Sequence, residues 1–91
     1  MKLSDALFNW LQMQRVCEAR PHDNAAKDTL EFFGQILRED HNLDQFMIES
    51  MDDTEIRVRY EFGGNVKSQA WDRELCEQLL NDINSNPKYN Q

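Results

Sequence analysis

The sequence predicts an α+β fold in which a three-stranded antiparallel β-meander packs on helices, in the order α-α-β-β-β-α. Three observations carry this. Two segments between Leu3 and Leu37 place apolar residues at helical spacing. Two runs between Phe46 and Phe62 alternate apolar and polar residues with period two, and a double glycine follows them. From Asp72 to Asn84 the helical spacing returns.

In the first segment Leu3, Leu7, Trp10, Leu11 and Cys17, with Ala6 and Met13 beside them, form one broad apolar face. A helix from Ser4 to Ala19 follows, with Ser4 as N-cap and Leu3 and Phe8 as a hydrophobic staple across it. Pro21 disfavours helical geometry at Arg20 and ends it. Asp23 caps a second helix, whose stripe is Ala26, Leu30, Phe33 and Leu37, widened by Phe32 and Ile36. Gly34 within this helix costs up to about 1 kcal/mol relative to Ala, which points to a close helix crossing there. Asn42 is the stop signal.

Phe46, Ile48 and Ser50 alternate with Met47, Glu49 and Met51, and Ile56, Val58, Tyr60 and Phe62 alternate with Arg57, Arg59 and Glu61. A two-residue Asp52-Asp53 turn would set Met47 opposite Val58 and split the apolar residues between faces. An odd loop instead pairs Phe46 with Tyr60 and Ile48 with Val58 on one face, and Glu49 with Arg57 on the other. The same test applied to a three-residue Gly63-Gly64-Asn65 loop brings Phe62 opposite Val66, Tyr60 opposite Ser68 and Val58 opposite Ala70. A short third strand from Val66 to Ala70 then completes the meander. Asp72 caps the last helix, and its stripe of Leu75, Cys76, Leu79, Leu80 and Ile83 is expected to cover the apolar face of the sheet.

With 91 residues, the chain is long enough for one core and too short for two, so residues 1–84 are expected to form one domain and residues 85–91 a flexible tail. No stretch approaches the roughly 20 apolar residues of a membrane span, and the polar residues near the N-terminus interrupt any signal-peptide core. Cys17 and Cys76, both at apolar helical positions, read as buried free thiols. A cytoplasmic location is the resulting expectation. The formal net charge of -7 is concentrated in two helical regions. Six acids stand against Lys27 and Arg38 between Asp23 and Asp44, and four against Arg73 between Asp72 and Asn84. Such a field repels a phosphate backbone.

Asp40, Asn42 and Asp44 have the spacing of the first ligands of a calcium loop. Gln45 stands where that loop needs its turn glycine, however, and Met51 where it needs its bidentate carboxylate. His22 and His41 flank helix ends, with neither C-x-x-C nor H-E-x-x-H spacing. His22 near Cys17 nominally permits a thiol and base pair, but no third group orients it. Glu39-Asp40 and Asp52-Asp53 are adjacent acids in polar turns, which do not share the desolvated cleft that acid catalysis requires. Gly63-Gly64 lacks the further glycines and the Lys-Ser/Thr of a phosphate loop. No catalytic, cofactor-binding or metal-binding residue is therefore assigned.

The order helix, three antiparallel strands, helix from Asp23 to Asn84 resembles the double-stranded-RNA-binding domain in topology. That family opens its last helix with a lysine-rich run that grips phosphates, whereas Ala70-Trp71-Asp72-Arg73-Glu74 stands here. The resemblance implies RNA binding through Arg57, Arg59 and Lys67 on the outer sheet face, as an alternative reading beside an enzyme built on scattered carboxylates or His22. The short, acidic character is also similar to that of small bacterial or phage proteins.

The leading expectation is a non-enzymatic protein-interaction or regulatory module, acting on a protein partner or as a homo-oligomer. Its contact residues are Met47 and Met51 on the outer sheet face, Trp71 at the edge of that face, and Arg57 and Arg59 between them, because Met, Trp and Arg are enriched at interfaces.

Overall fold

The computed structural model describes residues 1–85. Its elements are α1 (Leu3–Ala19), α2 (Asn24–Glu39), β1 (Gln45–Met51), β2 (Glu55–Phe62), β3 (Asn65–Asp72), α3 (Arg73–Cys76) and α4 (Gln78–Ser85). The strands form one antiparallel sheet in the order β1-β2-β3, so the α+β architecture and element order agree with the sequence reading. Of the expected C-terminal tail, Ser85 belongs to α4, and the remainder lies outside the described residues.

Helix α1 starts at Leu3, one residue before the expected cap. Ser4 therefore sits inside the first turn, and the capping residue Lys2 makes no side-chain hydrogen bond. Arg20, held out of helical geometry by Pro21, ends α1 at φ -131°, ψ 68°. Asp23 caps α2 as expected, its carboxylate accepting the Ala26 N–H at 3.0 Å. At the other end the chain reverses through Asn42 at φ 58°, a conformation that Asn tolerates better than most residues. Gly34 is not a helix crossing: the atoms nearest a Cβ placed there belong to the Arg38 guanidinium, the closest at 3.2 Å. The glycine leaves room for Arg38, whose guanidinium lies over the Phe46 ring at 5.6 Å.

Helix α1 covers one face of the sheet. Ala6, Leu7, Trp10 and Leu11 join Leu37, Leu43, Ile56, Val58, Tyr60 and Cys76 in one buried cluster. Trp10 meets Phe46 edge-on with ring centroids 5.1 Å apart. A second cluster, entirely helical, joins Met13 and Val16 of α1 to Ala26 of α2 and Leu80 of α4. The C-terminal stripe thus divides. Cys76 reaches the sheet cluster, while Leu79, Leu80 and Ile83 pack with α1 and α2. The expectation that this helix would cover the sheet is corrected, because α1 already occupies that face. The break falls at Glu77 (φ -98°, ψ 2°), whose carboxylate accepts from Arg73 Nε at 2.6 Å and Arg15 Nη2 at 3.3 Å. A bend there lets Cys76 and Leu80 serve different clusters.

Register decides which side chains face α1. Phe46 pairs with Tyr60 and Ile48 with Val58, as expected. A bulge then intervenes between Ile48 and Ser50, so Ser50 rather than Glu49 lies opposite Arg57, and Met51 lies opposite Ile56. Between β2 and β3 the expected register is off by one residue. Gly63 and Gly64, at φ 54° and 81°, form a two-residue turn that pairs Phe62 with Asn65, Val58 with Gln69 and Ile56 with Trp71. A slip of one residue exchanges the two faces of a strand. Val66 and Ala70 therefore leave the core side, and Lys67, Gln69 and Trp71 join it.

Candidate functional site

The sheet face opposite α1 has no helix over it among the described residues. Central strand β2 presents Glu55, Arg57, Arg59 and Glu61 there, because the alternate residues Ile56, Val58 and Tyr60 are buried. Register places Met47 and Ser68 on either side of Arg59, and Ser50 and Ala70 on either side of Arg57. Val66 flanks Glu61. The result is a flat surface with two guanidinium groups at its centre, small side chains beside them, and acids at both ends of the central strand.

Neither arginine is committed within this surface. The nearest contacts are Arg57 Nη1 to Ser68 Oγ at 3.5 Å, Arg57 Nη2 to Glu55 Oε2 at 3.8 Å, and Arg59 Nη2 to Met47 Sδ at 3.6 Å. The two oxygen contacts are long beside the about 2.7–2.9 Å of a charge-assisted N–H···O bond, and a thioether sulfur is a weak acceptor. By contrast, Arg15 and Arg73 converge on Glu77, and Arg73 also donates to the Asp52 carbonyl at 3.0 Å. Those arginines build the fold, whereas among the described residues Arg57 and Arg59 make only the longer contacts above.

Three of the five residues expected at this site share the face: Met47, Arg57 and Arg59. Trp71 does not. It sits opposite the buried Ile56, packs against the sheet cluster and meets the Phe8 ring at 6.1 Å. There it precedes the cap Asp72 with Cys76 at the fourth helical position, the arrangement of a hydrophobic staple. Met51 is exposed but leaves the outer face, because the bulge aligns it with Ile56. Lys67 is also on the other side, its ammonium 5.5 Å from the Phe62 ring centroid, so the basic trio expected of an RNA-binding face does not assemble. The residues missed by sequence reasoning are Ser50, moved to this face by the bulge, and Val66, Ser68 and Ala70 of β3. Gly-Gly was the signal for the β3 residues, because it favours a two-residue hairpin turn.

Among the remaining acids, Asp52, Asp44 and Asp23 are occupied by structural work. Asp52 Oδ1 accepts from the Thr54 N–H at 2.8 Å, the Thr54 hydroxyl at 2.9 Å and the Glu55 N–H at 2.8 Å, bonds that hold its carboxyl below the usual range. Asp44 accepts from the Gly63 N–H at 3.2 Å, tying the residue before β1 to the hairpin. Asp23 divides its carboxylate between the Ala26 N–H and Arg20. Burial first, then the Asp23 charge, pushes the Cys17 thiol up, so exposed His22 nearby does not face an activated thiolate. Burial likewise pushes Cys76 up to about 11. Among the described residues, no three His, Cys, Asp or Glu side chains are grouped so as to hold a metal ion, and no helix is long and apolar enough to cross a membrane.

Compared with known proteins, the chain matches no family model, no curated protein and no solved structure. The element order α2-β1-β2-β3-α3 is the one expected from the sequence, and at the start of α3, where the RNA-binding reading would need lysines, the Asp72 carboxylate accepts the N–H groups of Glu74 and Leu75.

Proposed function

We propose that this chain is a non-enzymatic protein-interaction module whose contact surface is the outer face of its sheet. The observation that carries this is the pair Arg57 and Arg59, centred on a face that is uncovered among the described residues and making no contact with them shorter than 3.5 Å. Arginine on such a face gives planar, directional recognition of carboxylates and carbonyls, and flexible Met47, 39% exposed, adapts to the apolar part of a partner. Ser50, Ser68 and Ala70 beside the arginines let a partner backbone approach closely. Two free thiols support a reducing compartment, in keeping with a cytoplasmic module. The test is quantitative co-purification from native extract with three proteins: the wild type, the Arg57→Ala, Arg59→Ala double variant, and a control Asp28→Ala on the exposed side of α2. Partners lost with the first variant and retained with the control support the outer face. An identical partner set from all three would refute it.

A further inference from the structure

We infer that α4 is a hinged strap, which releases as a unit from the α1–α2 hairpin by turning about Glu77 while α3 stays on the sheet, and so uncovers an apolar cleft of Met13, Val16 and Ala26. The inference is independent of the outer-face reading and uses none of its residues. The two clusters of the core place the division. Cys76 of α3 belongs to the cluster that α1 makes with the sheet, whereas Leu80 of α4 belongs to the helical cluster. Hydrogen bonds to backbone carbonyls fix α3 in place: the Arg73 N–H donates to Thr54 at 2.9 Å, and Arg73 Nη1 donates to Asp52 at 3.0 Å. Helix α4 is held differently. Leu80 is its one buried residue among those described, and the partly buried Leu79 and Ile83 complete its contact with α1 and α2. The seat is incomplete, since a groove of about 200 Å³ opens between Ile83 and Met13, Val16, Ala25, Ala26 and Thr29.

Glu77 supplies the hinge. At φ -98° and ψ 2° it departs from helical geometry. Its N–H closes α3 on the Arg73 carbonyl at 3.0 Å, and its own carbonyl receives the Asn81 N–H of α4 at 2.9 Å. A change in the dihedrals of this residue therefore re-aims α4 without disturbing the Arg73 anchor. The latch is the bond from Arg15 Nη2 of α1 to the Glu77 carboxylate at 3.3 Å, whereas the Arg73 Nε bond at 2.6 Å lies within the hinge itself. Arg15 is held at this position by its ion pair with Glu18, one turn further along α1.

Release is all-or-none because α4 does not survive alone. Its 8 described residues fall short of the about 12–15 at which an isolated helix becomes even marginally stable in water. Losing the contacts of Leu79, Leu80 and Ile83 therefore melts the helix as well as detaching it. Release exposes the second cluster only, whereas global unfolding exposes both, so the strap opens at a lower free energy and more often than the sheet.

Native-state amide exchange of the intact chain tests this, each rate being corrected for its intrinsic value. The amides of Asn81, Asp82 and Ile83 should share one protection factor, about 100-fold or more below that of Ile56 and Val58 in β2, and should respond less steeply to low urea because less surface is exposed. Ile56→Val, in the sheet cluster, should speed exchange in β2 roughly 3–10-fold and leave α4 within about twofold. Glu77→Gln should speed exchange in α4 roughly 5–30-fold at neutral pH, because it removes the charged acceptor of the latch. Equal protection in α4 and β2, with both changing together in Ile56→Val, would overturn the inference by showing that α4 opens only when the whole chain unfolds. Protection that falls steadily from Asn81 to Ile83 would overturn it too, since that is fraying rather than release of a unit. An α4 rate unmoved by Glu77→Gln would overturn the latch. None of these results touches the outer-face reading, which stands or falls on the Arg57 and Arg59 co-purification.

Discussion

Exchanging the roles of Trp71 and Val66 is the most direct perturbation of this fold, because a single residue of register decides which of them supports the core. Val66 is 57% exposed, whereas Trp71 is half-buried between the sheet cluster and Phe8. Truncating a fully buried Trp to Ala costs about 3–5 kcal/mol, so roughly half of that, about 2 kcal/mol, is expected for Trp71→Ala. At about 4–8 °C per kcal/mol for a domain of this size, the melting temperature should fall by roughly 8–16 °C. Val66→Thr keeps shape and strand propensity while adding a hydroxyl. On an exposed position its effect should stay within about 0.5 kcal/mol, whereas in a core the unpaired hydroxyl would cost about 1–3 kcal/mol. Urea denaturation followed by circular dichroism, with thermal melts alongside, measures both variants. A stable Trp71→Ala together with a destabilised Val66→Thr would refute the two-residue turn and restore the odd register.

Glu77→Gln should destabilise the chain by roughly 1–2 kcal/mol at neutral pH, since it removes a charged acceptor shared by Arg73 and Arg15. The Arg73 hydrogen bond is the main reason that the Glu77 carboxyl titrates below its usual 4.5 in the folded chain. A carboxyl depressed by folding stabilises above its unfolded pKa and loses that contribution as pH falls through the folded value. The difference between wild type and Glu77→Gln in urea titrations should accordingly be full at pH 7 and shrink below about pH 4.5; a difference independent of pH would exclude the ion-paired clasp. Gly64→Ala, at φ 81°, should cost about 1–2 kcal/mol, whereas Gly63→Asn, at φ 54°, should cost less because Asn enters the left-handed region more readily. Equal effects in thermal melts would contradict the turn geometry.

Much of the architecture was legible because it depends on neighbours in sequence. Asp23 and Asp72 cap helices through N–H groups two or three residues away, and Asp52 does the same in a turn. Those bonds form wherever the local backbone goes. The first half of the β1–β2 register was legible for a related reason, since a shift by a single residue would separate Phe46 and Ile48 from Val58 and Tyr60. Glu49 shows where this stops. Matching it to Arg57 by charge overlooked the bulge, and nothing in Ile48-Glu49-Ser50 marks an extra residue. At the next hairpin two alignments were both chemically reasonable, and the expected one followed the apolar Val66 and Ala70 rather than the turn preference of Gly63-Gly64.

The candidate site was correspondingly half visible. Met47, Arg57 and Arg59 were found because β2 alternates without interruption, whereas Trp71 and Met51 were assigned to the wrong side by the two register errors. Only tertiary structure decided that α1, rather than the last helix, covers the sheet. The stripe of Leu75, Cys76, Leu79, Leu80 and Ile83 suits a sheet as well as it suits a helix pair. Which of the two it meets depends on a bend at Glu77 held by Arg15, a residue 62 positions away. Periodicity and capping are properties of a segment, and the sequence determined them by itself. Choosing between equally apolar surfaces is a property of the assembled chain, because burial stabilises any apolar pair that geometry brings together and carries no directional preference of its own.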